Sequence, residues 1–133
     1  ILNNKSKWVN YFIDEGEIWL FMNNIGLKVL VHNDSVNNVH ILIEGEKTFF
    51  LAPPSENFNH EILEKGYNAG FSGFDPFTNK IIANKIGLFH KLRANNVLFI
   101  PNGWWHSVLY EENSYAVSIM DELAESSAVL PKS

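Results

Sequence analysis

The sequence predicts a single, mainly β domain whose strands close on themselves as a sandwich or barrel. Three observations predict it. Seven apolar runs of five to seven residues recur along the chain. Asparagine pairs (3–4, 23–24, 37–38, 95–96), glycines and prolines punctuate them. Aromatic residues make up 14% of the chain, ten of them Phe, which suits a pleated, half-buried surface.

Taken in order, residues 18–22 (IWLFM), 27–33 (LKVLVHN) and 39–45 (VHILIEG) predict the first three strands. A hairpin turn at Glu44-Gly45-Glu46 leads to the fourth, residues 47–53 (KTFFLAP). The prolines of APPSE end it, because proline donates nothing to a strand ladder. Residues 55–66 (SENFNHEILEKG) predict one short helix closing near Gly66. Residues 67–80 (YNAGFSGFDPFTNK) predict a loop around Asp75. This long excursion separates the fourth strand from the fifth, residues 97–101 (VLFIP); 105–110 (WHSVLY) and 115–120 (YAVSIM) complete the set. All 133 residues fit one domain.

Composition narrows the chemistry. The net charge is −5 and no Lys/Arg run is dense enough to track phosphates, so a direct nucleic-acid partner is disfavoured. No cysteine is present, which excludes disulfides, zinc-thiolate sites and thiol catalysis. No apolar run approaches the ~20 residues of a membrane span, and no signal segment opens the chain. The expectation is a cytoplasmic protein without a membrane partner.

The chemistry concentrates in residues 31–50, VHNDSVNNVHILIEGEKTFF. Strand side chains alternate faces, so His32 and Asp34 point the same way, with Cα atoms about 6–7 Å apart. Such a pair can share a metal ion but needs a third ligand. His106 is the best candidate, at the start of a strand after a Pro-Asn-Gly turn. Two imidazoles and a carboxylate on one face of a metal leave the other face open, the arrangement that suits non-haem Fe(II). His40, His60 and His90 read as structural or surface residues, and Trp104 and Trp105 as packing at the strand's beginning. Lys47 opens an otherwise apolar run. Its stem could simply cover apolar surface. Alternatively, a cation held there pairs with the carboxylate of a small acid, a charge-assisted contact of about 1.5–3 kcal/mol. Asn38 adds an amide nearby.

Three segments resemble the JmjC and cupin-8 group of Fe(II)/2-oxoglutarate hydroxylases. VHNDSVNNVHILIEGEKTFFLAPPSE is similar to that group's first metal-binding segment. FSGFDPFTNK resembles the Asp-Pro-Phe loop that follows it, and NNVLFIPNGWWHSVLY the approach to the last metal-binding His. Asn38 follows His32 by six positions and Lys47 by fifteen, as in the asparaginyl hydroxylase branch. The likeness covers residues 18–121 in the right order.

The resemblance implies a double-stranded β-helix, or jelly-roll, barrel. It implies His32, Asp34 and His106 as the catalytic iron ligands. Lys47 would hold the distal carboxylate of 2-oxoglutarate, with Asn38 and Ser118 lining the same pocket. The implied reaction uses O2 and 2-oxoglutarate to hydroxylate a protein side chain or a small molecule, releasing succinate and CO2. Two alternatives stay open at this point: a metal-binding cupin that does not use 2-oxoglutarate, and a non-catalytic interaction module. There are departures. Val29 stands where some relatives have a Thr that bonds the co-substrate, and Asn95-Asn96 replaces a usual Gly-Asp. SIMDE lacks an aromatic pair that often ends the strand. Relatives usually carry an N-terminal cap over the barrel, so the expectation is a domain over residues 1–133 without that cap, with a homodimer covering the exposed edge.

Overall fold

The computed structural model describes residues 17–56, 58 and 68–121. Nine strands and one helix follow in the order β1 (Glu17–Asn23), β2 (Lys28–Asp34), β3 (Asn37–Glu44), β4 (Glu46–Ala52), β5 (Asn68–Ser72), α1 (Lys80–Ile86), β6 (Leu88–Arg93), β7 (Val97–Ile100), β8 (Trp105–Tyr110) and β9 (Ser114–Asp121). They form a four-stranded sheet, β1-β9-β3-β7, and a five-stranded sheet, β5-β2-β8-β4-β6. The strand pairs among the described residues are all antiparallel. The chain crosses between the sheets at most connections, so consecutive strands face one another across the interior. This is a jelly roll, as expected.

The seven strands read from the sequence are all present, within two residues at each boundary. Two more lie in the excursion between the fourth and fifth of them. β5 occupies part of the segment read as a loop, and its asparagine and glycine are poor strand formers. Pairing with β2 overrides that preference, with Val31 opposite Ser72 and His32 opposite Phe71. β6, LFHKLR, escapes a hydrophobic search because it is an edge strand with its charged side chains in solvent. The helix proposed at 55–66 falls mostly outside the described residues; the helix observed is α1.

Two apolar layers hold the domain. Between the sheets lie Leu42, Phe49, Leu92, Ile100, Val108, Tyr110 and Ala116. On the other side of the five-stranded sheet, α1 and the β5–α1 loop cover Val31, Phe50, Ala52, Phe58, Ala83 and Trp105. β4 is therefore buried on both faces, Phe49 looking one way and Phe50 the other. That is why KTFFLA reads as a continuous apolar run rather than an alternating one. Each such ring removed from water contributes roughly 1.5–3 kcal/mol.

Turns between these strands have local causes. Gly45 sits at φ +92°, and a Cβ there would collide with the Asn113 carbonyl oxygen, so only glycine fits the β3–β4 turn. That turn is not the expected hairpin: β3 and β4 belong to different sheets, and Gly45 carries the chain from one to the other. Asn95 takes φ +69°, a left-handed conformation that asparagine tolerates better than most residues. Its N–H donates to the Leu42 carbonyl at 2.7 Å, so the Asn-Asn turn before β7 is sound. At Asp75, the carboxylate accepts the Phe77 N–H at 2.9 Å and Lys28 pairs with it from β2, which pins the loop against the sheet.

Candidate metal centre and acid pocket

The metal centre is built on two neighbouring strands of the five-stranded sheet, β2 and β8. His32 on β2 stands directly opposite His106 on β8, and Asp34 follows two residues along. Register irregularities flank this stretch on both neighbours of β2, so the local backbone departs from a plain ladder where the three side chains converge. The Pro101–Gly103 turn is tied down as well. The Gly103 N–H donates to the Asp34 carbonyl at 2.9 Å and the Asn102 N–H to Asn37 Oδ1 at 2.8 Å. These bonds deliver β8, and His106 with it, to the metal-site end of β2.

One atom from each of His32, Asp34 and His106 lies within 4.8 Å of the other two. His106 Nε2 is 3.4 Å from Asp34 Oδ2. Both imidazoles are oriented from behind. His32 Nδ1 is 2.8 Å from the Leu30 carbonyl and His106 Nδ1 is 3.0 Å from that of Trp104. A carbonyl only accepts, so each Nδ1 donates its proton there; the Nε2 of His32 keeps its lone pair for the site, while that of His106 is turned to the Asp34 carboxylate. Burial, and then the neighbouring His106, takes His32 down to about 4. Burial acts to raise the Asp34 carboxyl, but the hydrogen bond and charge of His106, with the charge of His32, hold it below the usual carboxylate range. At neutral pH this pairs an ionised carboxylate with a neutral His32. The donor set fits a divalent metal with affinity for nitrogen and oxygen.

A cavity of about 100 Å³ runs inward from the triad between the sheets. Val29, Phe49, Ile100, Val108 and Met120 form its apolar walls. Its polar lining includes Asn38, His40, Lys47, Tyr110 and Ser118. Lys47 is only 1% exposed, and no carboxylate pairs with it among the described residues. Its ammonium donates to His40 Nε2 at 3.0 Å and lies 4.8 Å from the centre of the Tyr110 ring. Burial lowers Lys47 to about 8 and raises the Tyr110 hydroxyl. His40 stands opposite Ser118 across β3 and β9, with Nδ1 and Oγ 2.7 Å apart. Burial, then the charges of Lys47 and His106, takes His40 down to about 3. Asn38 Oδ1 is buried with no hydrogen-bond partner among the described residues.

All six residues singled out from the sequence therefore line one cavity: His32, Asp34, His106, Lys47, Asn38 and Ser118. His40 does as well, although its sequence context reads as structural. Alternation from Asn38 puts it on the same inward face of β3, and that was the available signal. His90 is exposed on edge strand β6, and His60 lies outside the described residues. Trp105 packs in the outer core, its indole N–H donating to the Glu56 carbonyl at 3.1 Å. Trp104 packs against the inter-sheet core. Val29 does line the cavity, so a hydroxyl is missing from its wall at that point.

The sequence profile described as the cupin-like domain matches residues 2–120. The chain belongs to the cupin-like domain family. No curated protein matches it in sequence. Among solved structures, this cupin-like domain is similar to ycfD from E. coli, at 17% identity and TM-score 0.56 over 78% of this chain and 24% of that one. It is similar to a cupin superfamily protein from Desulfitobacterium hafniense, at 14% identity and TM-score 0.48 over 79% of this chain and 65% of that one. A third is Drosophila melanogaster CENP-C bound to CAL1, at 10% identity and TM-score 0.52 over 78% and 60%. The chain thus spans less than two thirds of the length of each. At such identities the likenesses to ycfD and to the CENP-C structure speak to the fold alone. No helix among the described residues is long and apolar enough to cross a membrane.

Proposed function

We propose that this cupin-like domain is an Fe(II)- and 2-oxoglutarate-dependent oxygenase that hydroxylates a C–H bond of a protein side chain or a small molecule. One observation carries the reading: Lys47 is a buried ammonium without a carboxylate partner among the described residues, in the same cavity as two imidazoles and a carboxylate. A buried unpaired charge is costly, and an arriving anion offsets that cost. A cupin binding metal for other chemistry has no general need of such a cation, and a decayed interaction module would be expected to have lost part of the set.

In this reading His32, Asp34 and His106 hold the iron, and the vacant face of the metal is left for the keto-acid end of 2-oxoglutarate and for O2. Bound there, iron with 2-oxoglutarate and O2 supplies the oxidising chemistry, with succinate and CO2 as by-products. Lys47 holds the far carboxylate, while Asn38 and Ser118 place polar groups beside the co-substrate. Val29, Phe49 and Val108 exclude water from between the two ends. The cavity's size agrees, because about 100 Å³ holds roughly seven to ten water-sized groups and 2-oxoglutarate has about ten heavy atoms.

Anaerobic addition of Fe(II) and 2-oxoglutarate tests it through the weak visible charge-transfer band of the metal–keto-acid chelate. The band is expected with the wild type, lost in His32→Ala, and shifted to much higher 2-oxoglutarate concentration in Lys47→Ala. An unchanged band in either variant refutes the assignment. Aerobic release of succinate then tests turnover.

A further inference from the structure

The acid-binding end of the cavity contains a group with no part in the chemistry proposed so far. His40 is 6% exposed, set between Lys47 and Ser118 and packed edge-on against Phe49 at 5.5 Å between ring centroids. Its hydrogen bonds have a direction. A lysine ammonium has three donors and no acceptor, so His40 Nε2 must accept from Lys47. A neutral imidazole accepting at Nε2 carries its proton on Nδ1, so Nδ1 donates to Ser118 Oγ. The Ser118 hydroxyl then accepts on one lone pair, and its O–H stays free to donate.

We propose that His40 is a positioning residue that selects a terminal carboxylate on the co-substrate. By accepting from Lys47 it anchors the ammonium, and by accepting nothing from Ser118 it frees that O–H, so both present donors to the cavity. A carboxylate, which only accepts, satisfies them all. A carboxamide offers these donors one oxygen instead of two and carries no charge to pair with the ammonium. If the imidazole switched tautomer, its Nε2–H would face the Lys47 ammonium, donor against donor, and the lysine would lose its anchor. His40 thus holds Lys47 in place and sets the sense of the Ser118 hydrogen bond without itself needing to touch the ligand. This inference rests on the 2-oxoglutarate reading, but its first test does not.

That first test is the tautomer of His40 in the metal-free protein, read by long-range nitrogen–proton NMR correlation on the imidazole. The expected result is a protonated Nδ1 and a bare Nε2 at neutral pH, with Ser118→Ala weakening that preference. An Nε2–H tautomer or an imidazolium in the wild type overturns the proposal. The second test titrates the Fe(II) chelate band with 2-oxoglutarate and with its 5-carboxamide, which share the keto-acid end. The wild type is expected to prefer the acid at least tenfold. His40→Phe is expected to lower that ratio at least fivefold, and His40→Gln, which retains one acceptor and one donor, to recover part of it. An unchanged ratio in a folded His40→Phe protein overturns the proposal while leaving the hydroxylase reading intact. A missing band in the wild type sinks the hydroxylase reading instead, and the tautomer measurement still decides whether His40 is poised as described.

Discussion

Replacing Lys47 by Met should make the metal-free protein insensitive to alkaline pH in a way the wild type is not. In the wild type, burial takes Lys47 from 10.5 to about 8. At 1.36 kcal/mol per pH unit this amounts to about 3 kcal/mol set against the charged folded state. Between pH 8 and 10.5 the unfolded chain still holds a proton that folded Lys47 has released. Stability therefore rises with pH across that window, at up to about 1.4 kcal/mol per pH unit. Tyr110 acts in the opposite sense, since its folded pKa is raised and it stays protonated where the unfolded phenol has ionised. That effect begins near pH 10, so the clean window ends at about 9.5, where the wild-type gain should be ~2 kcal/mol. At pH 7, Lys47→Met removes the penalty of about 3 kcal/mol and leaves His40 Nε2 without its donor, which costs roughly 1–3 kcal/mol. A net gain near 1 kcal/mol is expected there. Urea unfolding in chelator, at half-unit steps from pH 7 to 9.5, reads both quantities. Wild-type and variant curves that run parallel from pH 8 to 9.5 would refute the reasoning, because Lys47 would then titrate as an ordinary surface lysine.

Other consequences follow from the same geometry. A carboxylate bound beside Lys47 holds it protonated, so 2-oxoglutarate affinity should be flat below pH 8 and fall toward tenfold per pH unit above it, as read from the chelate band. Co(II) at a hundred times its dissociation constant should stabilise the wild type by about 2.7 kcal/mol, seen as a raised melting temperature; an equal rise in Asp34→Ala would show that the ion binds elsewhere. Val29→Thr puts a hydroxyl on the bare cavity wall and should tighten 2-oxoglutarate binding about threefold to tenfold, with no tightening as the contrary result. Gly45→Ala forces a side chain into φ +92° against the Asn113 carbonyl and should cost at least ~1–3 kcal/mol in urea unfolding. Phe50→Ala opens a hole between the five-stranded sheet and α1, and a loss of about 3–5 kcal/mol is expected.

Seven strands were legible because each is a local run of apolar residues bounded by turn formers, and β-structure of that kind announces itself by composition. His32 and Asp34 were legible as a pair for the same reason: a period of two is a property of one strand. Their convergence with His106 is different, because it depends on β2 and β8 being neighbours in the five-stranded sheet, and no spacing along the chain encodes sheet order. His106 was a candidate through its place at the start of a strand after a Pro-Asn-Gly turn, and the likeness of the surrounding segments to hydroxylases strengthened it. β5 and β6 were hidden, one by its asparagine and glycine and the other by charges tolerated at a sheet edge. His40 shows the boundary most clearly. On its own strand it is one inward-facing histidine among several polar groups. It becomes a wedge between Lys47 and Ser118 only when β9 and β4 arrive from opposite sheets, since hydrogen bonds between side chains 7 and 78 positions apart are made by folding and not by sequence order.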